Sequence, residues 1–169
     1  MTGPRPEQGR LTKDNDLSKT PQTRSTVAAM IDGLNDLLFD DLRRFFAPDF
    51  RWMGNAGCGT KYGLEEFKNN WVLPFRAAFT DKICTDEARI AEGQWMAAFG
   101  HIRATHSGPF MGIAVTGKIV EIRYTDFWKV ENGLIIDNWV TVDFAGVLRQ
   151  LGEDVFRGRG WESFDPRRP

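Results

Sequence analysis

Apolar side chains recur along this chain in two rhythms, and the change from one to the other divides it near the middle. After Ser25, a residue suited to cap a helix, Val27, Met30, Ile31, Leu34, Leu37 and Leu38 fall at helical spacing. Asp40 to Phe46 reads as a second, short helix that ends before Pro48, and Phe50 to Met53 as a short strand entering a glycine-rich loop. Leu64, Phe67, Trp71 and Phe75 predict a further amphipathic helix that ends or kinks near Pro74. From Lys82 onward the period is two. Strands are predicted over Lys82–Ala91, Trp95–Thr105, Lys118–Glu131 and Leu134–Asp143, joined by turns at Glu92-Gly93, the Ser107–Gly117 loop and Glu131-Asn132-Gly133. A short helical pattern, Ala145 to Leu151, follows. Helices before a long antiparallel meander indicate an α+β domain, with the helices packed on one face of a curved sheet that encloses an apolar pocket.

Within a strand, residues i and i+2 share a face, so the pattern also says which polar groups point inward. In the Lys118 strand one face is Val120, Ile122, Tyr124, Asp126, Trp128 and Val130, while the other carries Glu121, Arg123, Lys129 and Glu131. Asp126 is therefore an enclosed carboxylate. The next strand presents Leu134, Ile136, Asn138, Val140 and Val142 on its apolar face, interrupted only by Asn138. Enclosing a carboxylate costs several kcal/mol unless it is hydrogen-bonded, and desolvation raises its pKa toward the range useful for acid or base work at about neutral pH. The bland alternative is a scaffold role, with Asp126 tied to backbone, Arg123, Arg103 or Asn138. His106, where a strand enters the Ser107–Gly117 loop, is a second group able to move a proton. Both faces of its strand are apolar, so alternation alone leaves its direction open. Trp52, Trp71 and Trp128 supply flat apolar walls. Trp139 falls on the outer face with Phe127, which points to a dimer surface, and Asp137 and Asp143 fall outward too.

Composition narrows the class. The chain has 169 residues, 22 Lys+Arg against 23 Asp+Glu, two cysteines and two histidines. That charge balance offers nothing to nucleic acid, and two cysteines with two histidines make a poor metal inventory, so no cofactor or metal is expected. No long apolar run suggests export or a membrane span, which leaves a cytoplasmic expectation. The Pro-, Lys- and Ser-rich opening reads as a flexible arm over residues 1–25, ahead of a domain over 26–152. Residues 153–169 read as a basic tail on which Trp161 and Phe164 dock.

Three motifs occur in order: His106-Ser-Gly-Pro-Phe-Met-Gly-Ile-Ala-Val-Thr-Gly-Lys, then Asp126-Phe-Trp-Lys-Val-Glu-Asn-Gly-Leu-Ile, then Leu148-Arg-Gln-Leu-Gly. Their types and spacing, over roughly Ala28 to Gly152, resemble the SnoaL-like polyketide cyclases. The resemblance implies a cone-shaped α+β barrel, the fold also used by ketosteroid isomerase and nuclear transport factor. It further implies acid/base closure of a ring by an intramolecular aldol step. Carried over by motif spacing, the family's catalytic aspartate falls on Val140 and its histidine on Asp126. Val140 cannot move a proton, whereas Asp126 keeps a carboxylate on the adjacent strand. The functional expectation is thus a cofactor-free enzyme acting on a small apolar or aromatic carbonyl metabolite. Asp126 and His106 are its candidate catalytic groups, and Trp52, Trp71, Tyr124, Trp128, Asn138 and Val140 its candidate substrate contacts. The alternative is a binding protein of the same fold without turnover.

Overall fold

The computed structural model describes residues 15–35 and 42–165. Helix α1 (Thr20–Asn35) leads, and after a 3-10 turn (Arg43–Phe45) come β1 (Phe46–Gly54) and β2 (Thr60–Tyr62). Next are α2 (Gly63–Phe67), a π-helical turn (Lys68–Val72) and α3 (Leu73–Ala78). The meander is β3 (Phe79–Glu92), β4 (Trp95–His106), β5 (Ile119–Glu131) and β6 (Leu134–Val142), and α4 (Phe144–Leu151) closes it. The strands form one sheet in the order β2-β1-β6-β5-β4-β3, antiparallel throughout except where β1 runs parallel to β6. The barrel expectation is corrected here to a curled, open sheet with β2 and β3 as its edges. Bulges in β3 and β6 bend the strands, but β2, only three residues long, is too short to meet β3 and close the ring.

One core occupies the concave side. Val27 and Met30 of α1, Phe67 and Val72 pack with Met96, Ala98, Ala104, Val120, Ile122, Trp128 and Val140 of the sheet. β4 turns its even-numbered residues inward, for Met96, Ala98, Gly100, Ala104 and His106 are all buried. That decides the orientation which alternation left open.

Departures from the expected elements share a cause: polar or proline positions whose partners lie far away in sequence. Helix α1 begins at Thr20 rather than beyond Ser25, because Thr20, Thr23 and Asn15 fasten the β3–β4 turn. Gly93 N donates to Thr20 Oγ1 (2.7 Å), Thr23 Oγ1 donates to Gly93 O (2.7 Å) and Gln94 N donates to Asn15 Oδ1 (2.9 Å). Residues 15–25, assigned to the arm by composition, are thus built into the fold, while the rest of that arm lies outside the described residues. The helix expected over Asp40 to Phe46 falls partly outside them; its described part is the 3-10 turn. Pro48 lies inside β1 instead of ending a helix, in the stretch where the register to β6 slips between Phe46 and Arg51, so its missing N–H breaks no ladder. Pro74 does not end its helix either: it occupies the first turn of α3, directly after the π turn. In β6, Lys129 pairs with Asp137 and Val130 with Ile135, which leaves Ile136 as a bulge. Ile135 therefore faces the core in place of Leu134 and Ile136, and the expected alternation holds only from Asn138 onward. At the C-terminus Trp161 and Phe164 pack on each other at 6.1 Å and stay 85% and 79% exposed, so they do not dock.

Candidate active site

Asp126 lies mid-strand on the concave face of β5, in a row with Ala98 of β4 and Val140 of β6. Its one hydrogen-bond partner among the described residues is Asn138, whose Nδ2 donates to Oδ1 at 3.0 Å and to Phe127 O at 3.3 Å. Removal from water pushes the Asp126 carboxyl up to about 7; the Asn138 bond opposes this and the negative charge of Asp86 adds to it. At neutral pH such a group is divided between its two forms and can either take or give a proton.

Asp86 belongs to the neighbouring row, where β3, β4 and β5 contribute Asp86, Gly100 and Tyr124. A Cβ on Gly100 would lie 2.0 Å from the Thr85 carbonyl oxygen, so no other residue fits between these strands. The bare backbone lets the Tyr124 hydroxyl reach across β4 and donate to Asp86 Oδ1. Arg89 pairs with the other carboxylate oxygen of Asp86. With the tyrosine proton committed there, the 3.2 Å contact between Cys84 Sγ and Tyr124 Oη has the thiol as donor. Burial, then the bonds to Asp86 and Cys84, raise the Tyr124 pKa, and the phenol stays neutral.

Lys82 completes this face. Between Thr80 and Ile83 the register to β4 slips, with Asp81 in the left-handed region (φ 52°), so Lys82 shares the concave side with Cys84 and Asp86. Its ammonium lies 5.3 Å from the Phe75 ring centroid, and burial together with the nearby Arg76 guanidinium lowers its pKa to about 8. Arg76 Nη2 donates to Leu34 O at 2.6 Å, which joins α3 to α1 over this end of the sheet.

Six of the eight expected site residues converge. Asp126, Tyr124, Trp128, Asn138 and Val140 occupy adjacent positions on β5 and β6, and Trp52 of β1 lies beside Asn138 in register. Trp52 is fully buried and packs against Trp71 at a tilt, with ring centroids 4.3 Å apart. Trp71 in turn lines a separate cavity of about 230 Å³ with Cys58, Phe75, Phe110 and Phe144. His106 stands apart, eight residues along β4 from Ala98, or roughly 26 Å of strand. Its buried ring packs near Phe79 and Phe110, and Nδ1 meets Thr116 Oγ1 at 2.9 Å, which ties down the Ser107–Gly117 loop. Asp137 does face outward, yet it is buried beneath a bidentate pair with Arg51 at 2.7 and 2.8 Å. Lys82, Cys84, Asp86 and Arg76 escaped the sequence reading. The alternation of 82, 84 and 86 was the available signal, but β3 is an edge strand, polar on both faces and twice bulged. Among the described residues no cluster of His, Cys, Asp and Glu could hold a metal, and no helix is long and apolar enough to cross a membrane.

Residues 24–151 match the family model described as SnoaL-like polyketide cyclase. The chain is 28% identical over 135 residues to the nogalonic acid methyl ester cyclase of Streptomyces nogalater, covering 78% of this chain and 98% of that one. It is 26% identical over 148 residues to the aklanonic acid methyl ester cyclase AcmA of Streptomyces galilaeus, covering 86% and 96%. Among solved structures, wild-type IdmH of Streptomyces antibioticus superposes with a TM-score of 0.68 at 25% identity, covering 78% of this chain and 99% of that chain. A SnoaL-like protein of Jannaschia sp. CCS1 reaches 0.71 at 19%, covering 82% and 96%, which shows the shared fold.

Proposed function

The chain belongs to the SnoaL-like polyketide cyclase family, and from that premise we propose that it is an acid/base enzyme that closes a ring in a small, largely apolar carbonyl compound, with Asp126 as the group that moves the proton. The observation that carries this reading is the Asp126 carboxyl itself: set in a row between Ala98 and Val140, bonded among the described residues only to Asn138, and pushed to about 7. A base of that strength can remove a proton next to a carbonyl at neutral pH, and the resulting acid can return one to the new hydroxyl. Trp128 and Val140 flank it with apolar surface for the substrate's ring system. Both curated relatives are cyclases of acid methyl esters, so nogalonic acid methyl ester is the first substrate to try. Asp126→Asn keeps volume and hydrogen bonding but cannot accept a proton. It should lower kcat by about a hundred- to ten-thousand-fold with the fold intact by circular dichroism. Wild-type turnover in that variant overturns the reading.

A second reading, ligand binding without turnover, is favoured by Val140 in the position that the resemblance assigns to the family's aspartate. It predicts equal affinity for the same ester in the wild type and in Asp126→Asn. In either case we place the protein in the cytoplasm as a homodimer. The support is the outer sheet face, where Phe127 and Trp139 are opposed in register and both remain solvent-exposed beside Phe99.

A further inference from the structure

Most polar groups on the inner side of β3 are tied to one another. Cys84, Tyr124 and Asp86 form a hydrogen-bonded chain, and Arg89 pairs with Asp86 at its end. Lys82 stands outside that chain. Among the described residues its ammonium makes neither an ion pair nor a hydrogen bond, and it rests over the Phe75 ring, 5.3 Å from the centroid. The register slip that turns it inward sets Asp81 and Lys82 between the pairs Thr80–Thr105 and Ile83–Arg103, opposite Ala104. Across β4 that row continues with the buried Val120, and the next inward row is Ile102 and Ile122, so the sheet offers the amine only hydrocarbon. From α3 comes Arg76, a like charge, whose Nη2 is taken by Leu34 O and whose buried Nε has no partner. Apolar surroundings and an adjacent guanidinium both disfavour the ammonium and leave the nitrogen lone pair available for reaction. The place is reachable, since Lys82 is half-buried and Cys84, the next inward residue on its strand, is exposed.

We propose that Lys82 is a nucleophilic amine that captures an oxo acid as an imine, with the Arg76 guanidinium attracting the carboxylate of the same molecule. The proposal goes beyond the acid/base reading and requires nothing of Asp126. The Lys82 nitrogen adds to the carbonyl carbon and forms the C–N bond while the C=O π pair moves onto oxygen. That oxygen takes one proton from the nitrogen to give the carbinolamine. The hydroxyl then leaves with the second nitrogen proton as water, and C=N remains. No electrons are gained or lost, one water is released, and the same water reverses the step. The carboxylate supplies the negative charge that two neighbouring cations without an acidic partner lack.

The titratable groups acting on Lys82 are Arg76 on α3 and Cys84 on its own strand; Asp81 lies on the solvent side of the bulge, and β4 and β5 present no charge there. Burial, then Arg76, lowers the Lys82 pKa to about 8. At about pH 7.5 roughly a quarter of such an amine is neutral, against about a thousandth of a lysine in water; discounted for the weaker base, that leaves a reactivity advantage of about ten- to a hundred-fold. The test treats the full chain with glyoxylate and sodium cyanoborohydride, whose hydride reduces the imine carbon and fixes a carboxymethyl group on the amine, and reads each lysine by peptide mass spectrometry. Lys82 should be labelled about ten- to a hundred-fold faster than the exposed Lys19, with the ratio falling above about pH 8 as Lys82 becomes fully neutral. Lys82→Arg, folded by circular dichroism, should lose the fast label and keep the slow ones. Arg76→Gln should shift that fall in the ratio to higher pH and shrink the preference for glyoxylate over the uncharged acetaldehyde. Labelling of Lys82 no faster than Lys19 overturns the proposal, and so does an Arg76→Gln protein with wild-type pH profile and wild-type preference.

Discussion

Replacing Asp126 by Asn should make the protein more stable, and increasingly so as the pH rises. The folded chain holds the Asp126 proton up to about 7, against an ordinary carboxyl value of 3.8. Between those limits the unfolded chain binds fewer protons than the folded one, so stability falls as the pH rises and levels off above about 7. A gap of about three pH units corresponds to about 4 kcal/mol at full ionisation. Roughly 2 to 3 kcal/mol of that should develop between about pH 5 and pH 8. Asparagine carries no charge at either pH and can still accept the Asn138 bond, so it avoids this penalty while conserving the contact. Urea unfolding of both proteins, buffered at several values across that range, gives the difference directly. The advantage of Asp126→Asn should grow by about 2 kcal/mol or more from pH 5 to pH 8. A difference that does not vary with pH, or a wild type that gains on the variant as the pH rises, would mean a carboxylate stabilised by its surroundings, and the desolvation argument would fall.

Thr23→Val should cost about 1 to 3 kcal/mol in urea unfolding, because it leaves the Gly93 carbonyl without its 2.7 Å partner in a buried turn; an unchanged midpoint would show that the α1 clamp on that turn is idle. Gly100→Ala should destabilise by about 3 kcal/mol or more, since its Cβ would meet the Thr85 carbonyl backbone at 2.0 Å with no flexible atom to yield; wild-type stability would contradict that packing. Trp139→Lys, on the outer sheet face, should convert a dimer to monomers in sedimentation without altering the far-ultraviolet circular dichroism, and an identical sedimentation coefficient in both proteins would remove that face as the interface.

The alternating strands were legible because each has one solvated and one covered face. Val120, Ile122, Trp128 and Val130 are buried as their spacing demands, and Asp126 is found among them for the same reason. Legibility failed wherever a residue was inserted. Ile136 is one extra residue in β6, and it exchanges the facing of Leu134 and Ile135 without leaving a mark in the local hydrophobic pattern. The start of α1 was invisible for a different reason: Asn15, Thr20 and Thr23 serve the β3–β4 turn 70 to 79 positions away, and the hydrophobic period registers them only as polar residues.

The site divides along the same line. Asp126, Asn138 and Val140 come from strands whose other positions are apolar, so one polar residue on each inner face is conspicuous. Lys82, Cys84 and Asp86 come from an edge strand whose exposed side is also polar, and no contrast marks the inward set. They can be assigned only once the bulges at Asp81 and Glu87 fix the facing and Gly100 opens the path from Tyr124 to Asp86. Those bulges have a chemical consequence. Without the first, Asp81 would stand opposite Ala104 on the concave face and Lys82 would point to solvent, leaving a second carboxylate where the ammonium now lies. The backbone irregularity that hid Lys82 from the sequence pattern is therefore what turns its side chain onto the concave face.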